Sequence, residues 1–399
     1  MHLQYQLFCV ISLWSVLSFS QSFYFKSGFE NDIFINQFEL NGVENSNYAD
    51  LYGMDLNSGY DWVNDLDDNY SVGNFRIYYE NGDTSAAKAS IENDPLNNTN
   101  KVLKFQLNAP NVTNSGTSKG RIQAALNNNE NLKEFSFSVK LYLHPDINVL
   151  KSSDEVIHWF TIMEFWNNES FKPFPFRITL NIQKPDSSAG SNLYFGTHGQ
   201  IKDDIDSTWT NVWKSIDTNF EVPTGEWLTF NTYVREGDSI HGRYKVTVKD
   251  TLNEEHILFD INNYTHHPLD VTPDGIKSFN PMKLYTSSQL IEGMNAAQAE
   301  LSVFWDDFEI RIEEPTIRTT PPLKNSFKVL YPNPVSSHLN LACKSCDGLA
   351  YAIYNSKGIL KQKGILSNSS INCSNLSKGA YLIRVDKKNT NELIRFIKL

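Results

Sequence analysis

The stretch Ile157–Lys184 reads IHWFTIMEFWNNESFKPFPFRITLNIQK and consists of two runs of aromatic and β-branched residues around a polar turn. Apolar and polar side chains alternate from Phe176 to Gln183, which predicts a strand with one buried face. The other face carries Arg177, Thr179, Asn181 and Gln183. Guanidinium and amide groups bind hydroxyls and carboxylates, so this row predicts a ligand-binding face, with an ordinary solvated face as the alternative.

The composition of the chain limits the partners that it can bind. The chain has 399 residues, a net charge of −11 and 13% aromatic residues. An acidic protein is a poor partner for nucleic acid or for an anionic membrane surface. We expect neither partner, and an anionic polysaccharide needs a local basic patch in order to bind. The aromatic content is typical of all-β and carbohydrate-binding proteins.

The N-terminus has an apolar run from Leu7 to Leu17 followed by small polar residues. This run is too short to cross a bilayer and is typical of a secretory signal peptide, which we place at residues 1–21. No other stretch approaches the roughly 18 apolar residues that a membrane span requires. The sequence therefore predicts an exported protein without a membrane span, and we expect a monomer.

Short strand-like runs recur from Phe75 to Ile312, separated by Asn, Gly, Asp and Pro turns. This spacing predicts an all-β antiparallel sandwich or jelly roll over residues 22–314. A short helix is expected within Ser287–Leu301, as a connector. Residues 315–324 are rich in Pro and Thr and predict a linker, and residues 325–399 predict a small second β-sandwich.

The last segment carries the motifs Tyr331-Pro-Asn-Pro-Val335, Tyr354-Asn-Ser-Lys-Gly358 and Gly379-Ala-Tyr-Leu-Ile-Arg-Val385. Together they resemble the C-terminal sorting domain of the type IX secretion system of Bacteroidetes. The resemblance implies that the secretion machinery is a partner and that the product is secreted or held at the cell surface. It also places any catalytic chemistry in residues 22–314.

Three cysteines follow the signal segment: Cys343, Cys346 and Cys373. Their spacing lacks the second pair or the histidines of a zinc site. In an exported protein we expect one disulfide, between Cys373 and either Cys343 or Cys346.

The segment Phe29-Glu30 near the start and the run Trp305–Ile310 near the end resemble the concanavalin A-like jelly roll. That fold is used by retaining glycoside hydrolases of the laminarinase and agarase type and by polysaccharide lyases. The hydrolases need two carboxylates about 5 Å apart. Glu164 and Glu169 have the spacing of the hydrolase strand motif, but Trp166 replaces its central Asp. A retaining hydrolase is therefore one alternative.

A lyase removes the C5 proton of a uronate after its carboxylate charge is neutralised. The residue types that this reaction needs recur on alternating strands. The catalytic candidates are His158, Arg177, His198 and Tyr244, and the substrate-binding candidates are Arg121, Gln123, Glu164, Trp166, Asn181, Gln183, Tyr233 and Arg235.

We therefore expect a secreted polysaccharide lyase that cleaves a uronate-containing polysaccharide by β-elimination. The layout of a jelly roll followed by a sorting domain resembles the ulvan lyases of marine flavobacteria, and alginate and glucuronan are the other expected substrates. A non-catalytic carbohydrate-binding protein is the remaining alternative. Its stacking platform would consist of Trp166, Trp209, Trp213 and Trp227.

The resemblance to this jelly-roll class also implies a structural Ca²⁺, which takes oxygen ligands. Glu30 and Asp32 near the first strand and Asp307 in the last strand are the expected ligands, because first and last strands are often neighbours in this fold. A hydrogen-bonded turn beside a buried Asp is the alternative.

Overall fold

The computed structural model describes residues 23–30, 33–40, 43–67, 74–79, 85–114, 116–127, 129, 132–168, 172–202, 208–312, 330–331, 333–341, 347–355, 359–387 and 390–399. The predicted signal peptide (1–21) and linker (315–324) lie outside these residues, as do Asp32, Glu169, Cys343 and Cys346. The chain divides into two compact units, Met1–Thr316 and Ile317–Leu399.

The first unit is built almost entirely from strands. They are β1 (Phe23–Ser27), β2 (Phe34–Leu40), β3 (Val43–Tyr52), β4 (Asn74–Tyr78), β5 (Ala87–Asp94), β6 (Asn97–Leu107), β7 (Val112–Asn114), β8 (Thr117–Asn127), β9 (Glu134–Leu143), β10 (Thr161–Asn168), β11 (Phe176–Gln183), β12 (Tyr194–Lys202), β13 (Trp209–Glu221), β14 (Trp227–Arg235), β15 (Arg243–Lys249), β16 (Glu255–Asn262), β17 (Ser278–Ser287) and β18 (Ser302–Ile312).

These strands form two antiparallel sheets. Sheet A has the order β16-β15-β14-β9-β18-β6-β5, with β1 added beside β18. Sheet B has the order β13-β12-β11-β10-β17-β8-β4-β3-β2, with β7 added beside β8. Neighbours in each sheet are often distant in sequence, as in the pairing of β10 with β17. This arrangement confirms the predicted all-β jelly roll.

One continuous apolar core holds the two sheets together. The predicted alternation in β11 is confirmed, since Phe176, Ile178, Leu180 and Ile182 are fully buried. Aromatic rings from both sheets meet in the same core: Phe137 of sheet A lies 5.9 Å from Phe165 of sheet B, measured between ring centroids. Because the apolar residues of each strand face this core, the intervening residues of sheet B point away from sheet A.

Within the described part of the chain, three short helical segments connect the strands. A π-helical turn spans Trp62–Asp67, a 3-10 helix spans Pro145–Ser152, and the α-helix α1 spans Ser288–Ala296. The Ser287 hydroxyl accepts a hydrogen bond from the Leu290 backbone N–H, which caps the N-terminus of α1. This helix lies within the stretch where the sequence predicts a short connector.

The second unit contains two small antiparallel sheets. Its strands are β19 (Leu330–Tyr331), β20 (His338–Leu341), β21 (Ala350–Asn355), β22 (Leu360–Ile365), β23 (Ser370–Asn372), β24 (Gly379–Lys387) and β25 (Thr390–Lys398). Cys373 lies buried in the core of this unit as a free thiol, and burial raises its pKa. The expected disulfide stays a prediction, because Cys343 and Cys346, its possible partners, lie outside the described residues.

Gly199 provides a test of how tightly the core of sheet B is packed. A Cβ atom at this position would lie 2.2 Å from the indole ring of Trp213, whose Nε1 donates a 2.8 Å hydrogen bond to the Tyr264 carbonyl. We expect Gly199→Ala to lower the free energy of unfolding by about 1–3 kcal/mol, because the indole must move. Urea unfolding measures this loss. Gly293→Ala is the matched control, since its Cβ would meet nothing within 4 Å, and an equal loss in both variants would contradict the packing argument.

Candidate functional site

The outward face of sheet B carries charged and aromatic side chains on four adjacent strands, β11, β10, β17 and β8, and on the segment just before β10. We call this group the cationic face, and its members are Lys119, Arg121, Trp159, Glu164, Arg177, Lys283 and Tyr285. The contacts described below place them together. Four of the seven are cations and one is a carboxylate, so the group is positively charged although the whole chain has a net charge of −11.

A buried ion pair between Glu164 and Lys283 lies at the centre of the cationic face. The Lys283 ammonium donates a hydrogen bond to Glu164 Oε2, and the two side chains are only 1% and 5% exposed, respectively. Arg177 Nη1 lies 3.5 Å from Glu164 Oε1. Burial opposes ionisation of Glu164, but the cations Lys283 and Arg177 outweigh it and lower the pKa of this carboxyl. Glu164 is therefore a carboxylate across the neutral pH range.

For the Lys283 amine, burial outweighs the neighbouring carboxylate. Burial lowers the pKa of Lys283 to about 8, because Glu164 offsets it only in part and the positive charges of Arg121 and Arg177 lower the pKa further.

Irregular strand pairing brings these groups together. The register of β10 with β17 shifts between Thr161 and Glu164. The register of β17 with β8 shifts between Phe279 and Met282. Such bulges re-aim side chains along a strand.

Tyr285 lies among the cations of this face. Its ring centroid is 5.0 Å from Lys283 Nζ and 5.5 Å from Arg121 Cζ. Trp159 packs against the same ring with 4.8 Å between centroids. Burial raises the pKa of Tyr285, whereas Arg121 lowers it and Glu164 raises it further. The phenol is protonated at neutral pH, and the nearby cations favour the phenolate once it forms.

Arg177 is held in place by its neighbours on sheet B. Its Nε donates a 2.9 Å hydrogen bond to Gln200 Oε1, and its guanidinium carbon lies 3.9 Å from the ring centroid of Trp209. Trp166 meets Trp209 edge to face, with 5.5 Å between centroids. A stacked guanidinium beside two indoles presents one charged and two flat apolar surfaces, which suits a sugar carboxylate and the faces of sugar rings.

His198 lies on β12 and is positioned by Gln183. The Gln183 Nε2 atom donates to the His158 carbonyl at 2.8 Å and lies 3.1 Å from His198 Nε2. Gly196 makes room for this amide, because a Cβ there would lie 2.2 Å from Gln183 Oε1. Burial lowers the pKa of His198, as do Arg177 and Lys214. The imidazole is therefore neutral at neutral pH.

The structure brings most of the predicted site residues together on the outward face of sheet B. They are Arg121, Gln123, Glu164, Trp166, Arg177, Asn181, Gln183 and His198. Asn181 is buried, and its amide group hydrogen-bonds within the sheet. It accepts from Thr161 Oγ1 at 2.7 Å and donates to Thr179 Oγ1 at 2.9 Å. The His158 side chain is exposed just before β10, where its backbone carbonyl accepts the bond from Gln183.

The structure does not place Tyr244 at this face. Tyr244 lies on β15 of sheet A, is fully buried, and packs against Phe165 and Trp213 in the core between the sheets. Burial raises the pKa of its phenol far above the ordinary range. A substrate on either outer face cannot contact it, so we remove Tyr244 from the catalytic candidates.

Tyr233 and Arg235 are also separated from this face. Both lie on β14, whose outward residues point to solvent on the far side of sheet A. The Tyr233 hydroxyl donates to Glu134 at 2.6 Å, and Arg235 Nε donates to the His241 carbonyl at 2.8 Å. Alternation within a strand shows which residues share a face, but it does not show which sheet the strand joins. These two predicted binding residues are therefore misplaced.

The predicted platform of four tryptophans is not assembled either. Trp166 and Trp209 lie together on sheet B. Trp213 is buried in the core, and Trp227 lies on sheet A, where its Nε1 donates to Asp94 at 3.1 Å. Only two of the four indoles are available to one ligand.

Sequence reasoning missed Lys283, Tyr285, Lys119 and Trp159. In the run MKLYTS, the polar Lys283 and Tyr285 alternate with the apolar Met282 and Leu284. This signal is short, and Pro281 and the bulge before it interrupt the pattern. Only the pairing of β17 between β10 and β8 shows that these side chains join Glu164 and Arg121.

Carboxylates also gather just after the end of β1 and in the middle of β18. A Cβ atom at Gly28 would lie 2.3 Å from Glu30 Oε2 and 3.3 Å from Asp306 Oδ1, so these two carboxylates flank one small space. Burial raises the pKa of Asp306 to about 7, and the charges of Asp307 and Glu30 raise it as well. Carboxylate oxygens suit Ca²⁺, although Lys140 Nζ lies 2.7 Å from Asp307 Oδ2 and a bound cation has to compete with it. Two of the expected ligands, Glu30 and Asp307, belong to this group, and Asp32 lies outside the described residues.

Comparison with known proteins identifies the C-terminal unit. Residues 329–398 match the model of the secretion system C-terminal sorting domain. This domain marks the chain for export through the type IX secretion system. The product is secreted or held at the cell surface, as the motifs predict. Among the helices that the structure describes, none is long and apolar enough to span a membrane.

The first unit was compared with solved structures. An endo-β-1,4-glucuronan lyase from the fungus Trichoderma reesei aligns over 59% of this chain and 89% of its own, with 15% identity and a TM-score of 0.39. A marine alginate lyase from Aplysia kurodai aligns over 59% and 89%, with 9% identity and a TM-score of 0.36. LamAcat from Zobellia galactanivorans aligns over 53% and 80%, with 12% identity and a TM-score of 0.30. A search of curated proteins gives no significant match.

The buried ion pair predicts a specific cost of removing one partner. We expect Glu164→Gln to lower the free energy of unfolding by about 3 kcal/mol, because Lys283 is left buried without its counter-charge. The double variant Glu164→Gln with Lys283→Met removes both charges and is expected to recover most of the loss. Urea unfolding at pH 7 measures all three proteins. A double variant less stable than Glu164→Gln alone would contradict this account.

We propose that Ca²⁺ binds among Glu30, Asp306 and Asp307. The folded-state pKa of Asp306 is raised above its ordinary value. Without metal, the free energy of unfolding therefore falls as the pH rises from about 4 to about 7. Ca²⁺ is expected to raise the melting temperature at pH 8 by several degrees and to have little effect at pH 5, where Asp306 is protonated. Thermal unfolding with Ca²⁺ or with a chelator measures both.

Asp306→Asn is the matched variant for this site. With chelator at pH 8 it is expected to melt above the wild type, because no buried carboxyl must ionise. It is also expected to lose the response to Ca²⁺. If Ca²⁺ leaves the melting temperature of the wild type unchanged at pH 8, the metal site is ruled out.

Proposed function

We propose that this protein is a secreted polysaccharide lyase that cleaves a uronate-containing polysaccharide by β-elimination at the cationic face. The observation that carries the proposal is the excess of cations on this one face of an acidic protein. Lys119, Arg121, Arg177 and Lys283 surround a single carboxylate, Glu164, and the phenol of Tyr285. A neutral glycan does not require such a charge, whereas a polymer with a carboxylate on each uronate does.

The reaction needs neutralisation of the uronate carboxylate, one proton transfer from the sugar to the enzyme and one proton transfer back to the sugar. A base takes the C5 proton, the C5–H electrons form the C4–C5 double bond, and the C4–O4 bond breaks. The leaving O4 oxygen then receives a proton. The step is slow unless the uronate carboxylate is neutralised, since negative charge develops beside it. We assign this neutralisation to Arg121, with Arg177 binding the carboxylate of a neighbouring sugar.

Tyr285 is the residue that we assign to proton transfer. It lies at the surface of the face, beside Arg121 and Lys283. In the phenolate form these cations favour, it takes the C5 proton, and as the phenol it returns that proton to O4. Lys283 is almost completely enclosed and bonded to Glu164, so its role is to supply positive charge beneath the reacting sugar.

His198 is the alternative base, and the sheet order separates it from Tyr285. β12 and β17 have β11 and β10 between them, and a spacing of about 4.8 Å per strand places the two strands about 14 Å apart. One glycosidic bond cannot be within reach of both side chains. We place the reaction at Tyr285, where the cations converge, and assign His198 and Gln183 to the binding of an adjacent sugar.

A retaining hydrolase finds less support in the geometry. Along the five central strands, β8, β10, β11, β12 and β17, Glu164 is the only Asp or Glu. Two cations hold it as a carboxylate, which prevents it from acting as a general acid. Its expected partner, Glu169, lies outside the described residues. New reducing ends without an unsaturated product would favour this alternative.

The choice among uronate polymers rests on the domain layout. A jelly roll followed by a sorting domain resembles the ulvan lyases, so we propose ulvan as the first substrate to test. Alginate and glucuronan complete the panel. The ultraviolet absorbance of the unsaturated uronate reports β-elimination directly, and no increase with any of the three polymers would refute the proposed reaction.

Tyr285→Phe is expected to reduce kcat at least about a hundredfold, because it removes the proton-transfer group. Tyr233→Phe is the matched control, since this phenol lies on the far side of sheet A, and its activity is expected to equal that of the wild type. Absorbance assays with the cleaved polymer measure both. Equal activity of Tyr285→Phe and the wild type would exclude Tyr285.

The pH profile separates the two candidate bases. With Tyr285 as the base, kcat/KM is expected to rise through the alkaline range, because burial raises the pKa of this phenol. With His198 as the base, kcat/KM reaches its plateau below neutral pH, because the pKa of the imidazole is lowered. A plateau below neutral pH that is lost in His198→Gln would identify His198 as the base.

A further inference from the structure

Three side chains with metal-ligating atoms lie together at the hairpin that joins β15 and β16. Asp250, Glu254 and His256 each offer one ligand atom, and these atoms all lie within 4.8 Å of one another. The group belongs neither to the cationic face nor to the carboxylates around Asp306. It therefore requires its own explanation.

The hairpin places these side chains on the side that faces the core. Val248 is fully buried and lies directly opposite His256 in the ladder between β15 and β16. The Asp250 N–H donates a 3.2 Å bond to the Glu254 carbonyl, which continues the ladder past Val248. Directly paired residues, and residues two positions apart, share one face of a sheet. The core-facing row of this hairpin therefore ends in two carboxylates and an imidazole, where a sandwich ordinarily has apolar residues.

The Asp250 carboxylate is fixed in one orientation. Its Oδ1 accepts hydrogen bonds from the backbone N–H groups of Leu252 at 2.9 Å and Glu254 at 3.0 Å. Its Oδ2 lies 3.2 Å from His256 Nε2. Two ligands of a tetrahedral zinc ion, each about 2.0–2.1 Å from the metal, are about 3.3 Å apart. The second oxygen of Asp250 and the imidazole nitrogen therefore already have the separation of a metal-bound pair.

The imidazole of His256 is fixed from the other sheet. Its ring packs against Phe220, with 4.8 Å between centroids, and Phe220 packs against Phe195 at 6.2 Å. Phe220 belongs to β13, the edge strand of sheet B, and His256 belongs to β16, the edge strand of sheet A. The imidazole thus lies at the open seam of the sandwich. Its side chain is 36% exposed, so an ion in solution can reach it.

The local charge also favours a cation. Glu254 is exposed and can turn toward Asp250 and His256. A further carboxylate, Glu226, accepts a 3.3 Å hydrogen bond from Thr251 in the same turn. In the part of the chain that the structure describes, Asp250 pairs with His256 and neither ligand carboxylate has a Lys or Arg partner. A cation that enters between them has no side-chain cation to displace.

We propose that Asp250, Glu254 and His256 bind a Zn²⁺ ion that fastens the β15–β16 hairpin at the edge of sheet A. Zn²⁺ binds imidazole nitrogen as well as carboxylate oxygen, whereas Ca²⁺ and Mg²⁺ take oxygen ligands. Edge strands open most easily, and a metal that joins both sides of the turn opposes this opening. The role is structural and does not depend on which reaction the protein catalyses.

Calorimetric titration of ZnCl₂ into the full chain at pH 7, after treatment with a chelator, tests the ligands. We expect His256→Gln and Asp250→Asn each to raise the Kd for Zn²⁺ at least about tenfold. His241→Gln is the matched control and is expected to keep the wild-type Kd. Its imidazole Nδ1 lies 2.9 Å from Asp238 Oδ1, but among the described residues this pair belongs to no group of three ligands. No zinc binding by the wild type, or equal Kd values for the wild type and His256→Gln, would refute the site.

Amide hydrogen exchange tests the fastening of the hairpin. Saturating ZnCl₂ is expected to slow exchange in β16 about tenfold or more, and to leave local opening of β5, at the opposite edge of sheet A, unchanged. CaCl₂ is expected to have no such effect on β16, because an imidazole is not a calcium ligand. No slowing in β16 with ZnCl₂ would overturn the proposal. The same slowing with CaCl₂, or in His256→Gln, would overturn it as well.

Discussion

The buried ion pair between Glu164 and Lys283 is the interaction on which the outward face of sheet B depends. Two charges enclosed in a sheet are stable only when each satisfies the other, because the cost of removing them from water is several kcal/mol per ion. Glu164 also lies within 3.5 Å of Arg177, so one carboxylate organises two cations from different strands. With Arg121 and Tyr285 beside them, the surplus charge faces outward, where an anionic ligand can neutralise it.

This local charge would allow an acidic, exported chain to bind the acidic polymer that we propose as its substrate. A net charge of −11 repels polyanions at long range. At short range the cationic face attracts them, and the indoles of Trp159, Trp166 and Trp209 supply flat surfaces for sugar rings.

Small residues and irregular strand pairing give the site its shape. Gly196 provides the space for Gln183. The register shifts of β17 allow Lys283 to meet Glu164. A side chain at Gly196, or a regular β17, would therefore alter the site.

Period-two alternation by itself determined the all-β class and the two faces of β11, because burying one face of a strand requires it. The motifs from Tyr331 to Val385 likewise determined the sorting domain and export, since they lie close together in the sequence. Only the tertiary structure decided which strands share a sheet. The strand order places Tyr233 and Arg235 on the outer face of sheet A and Tyr244 in the core. It also places Lys283 and Tyr285 beside Glu164. Strand pairing joins residues more than a hundred positions apart, as in Glu164 with Lys283, and no local pattern carries that information.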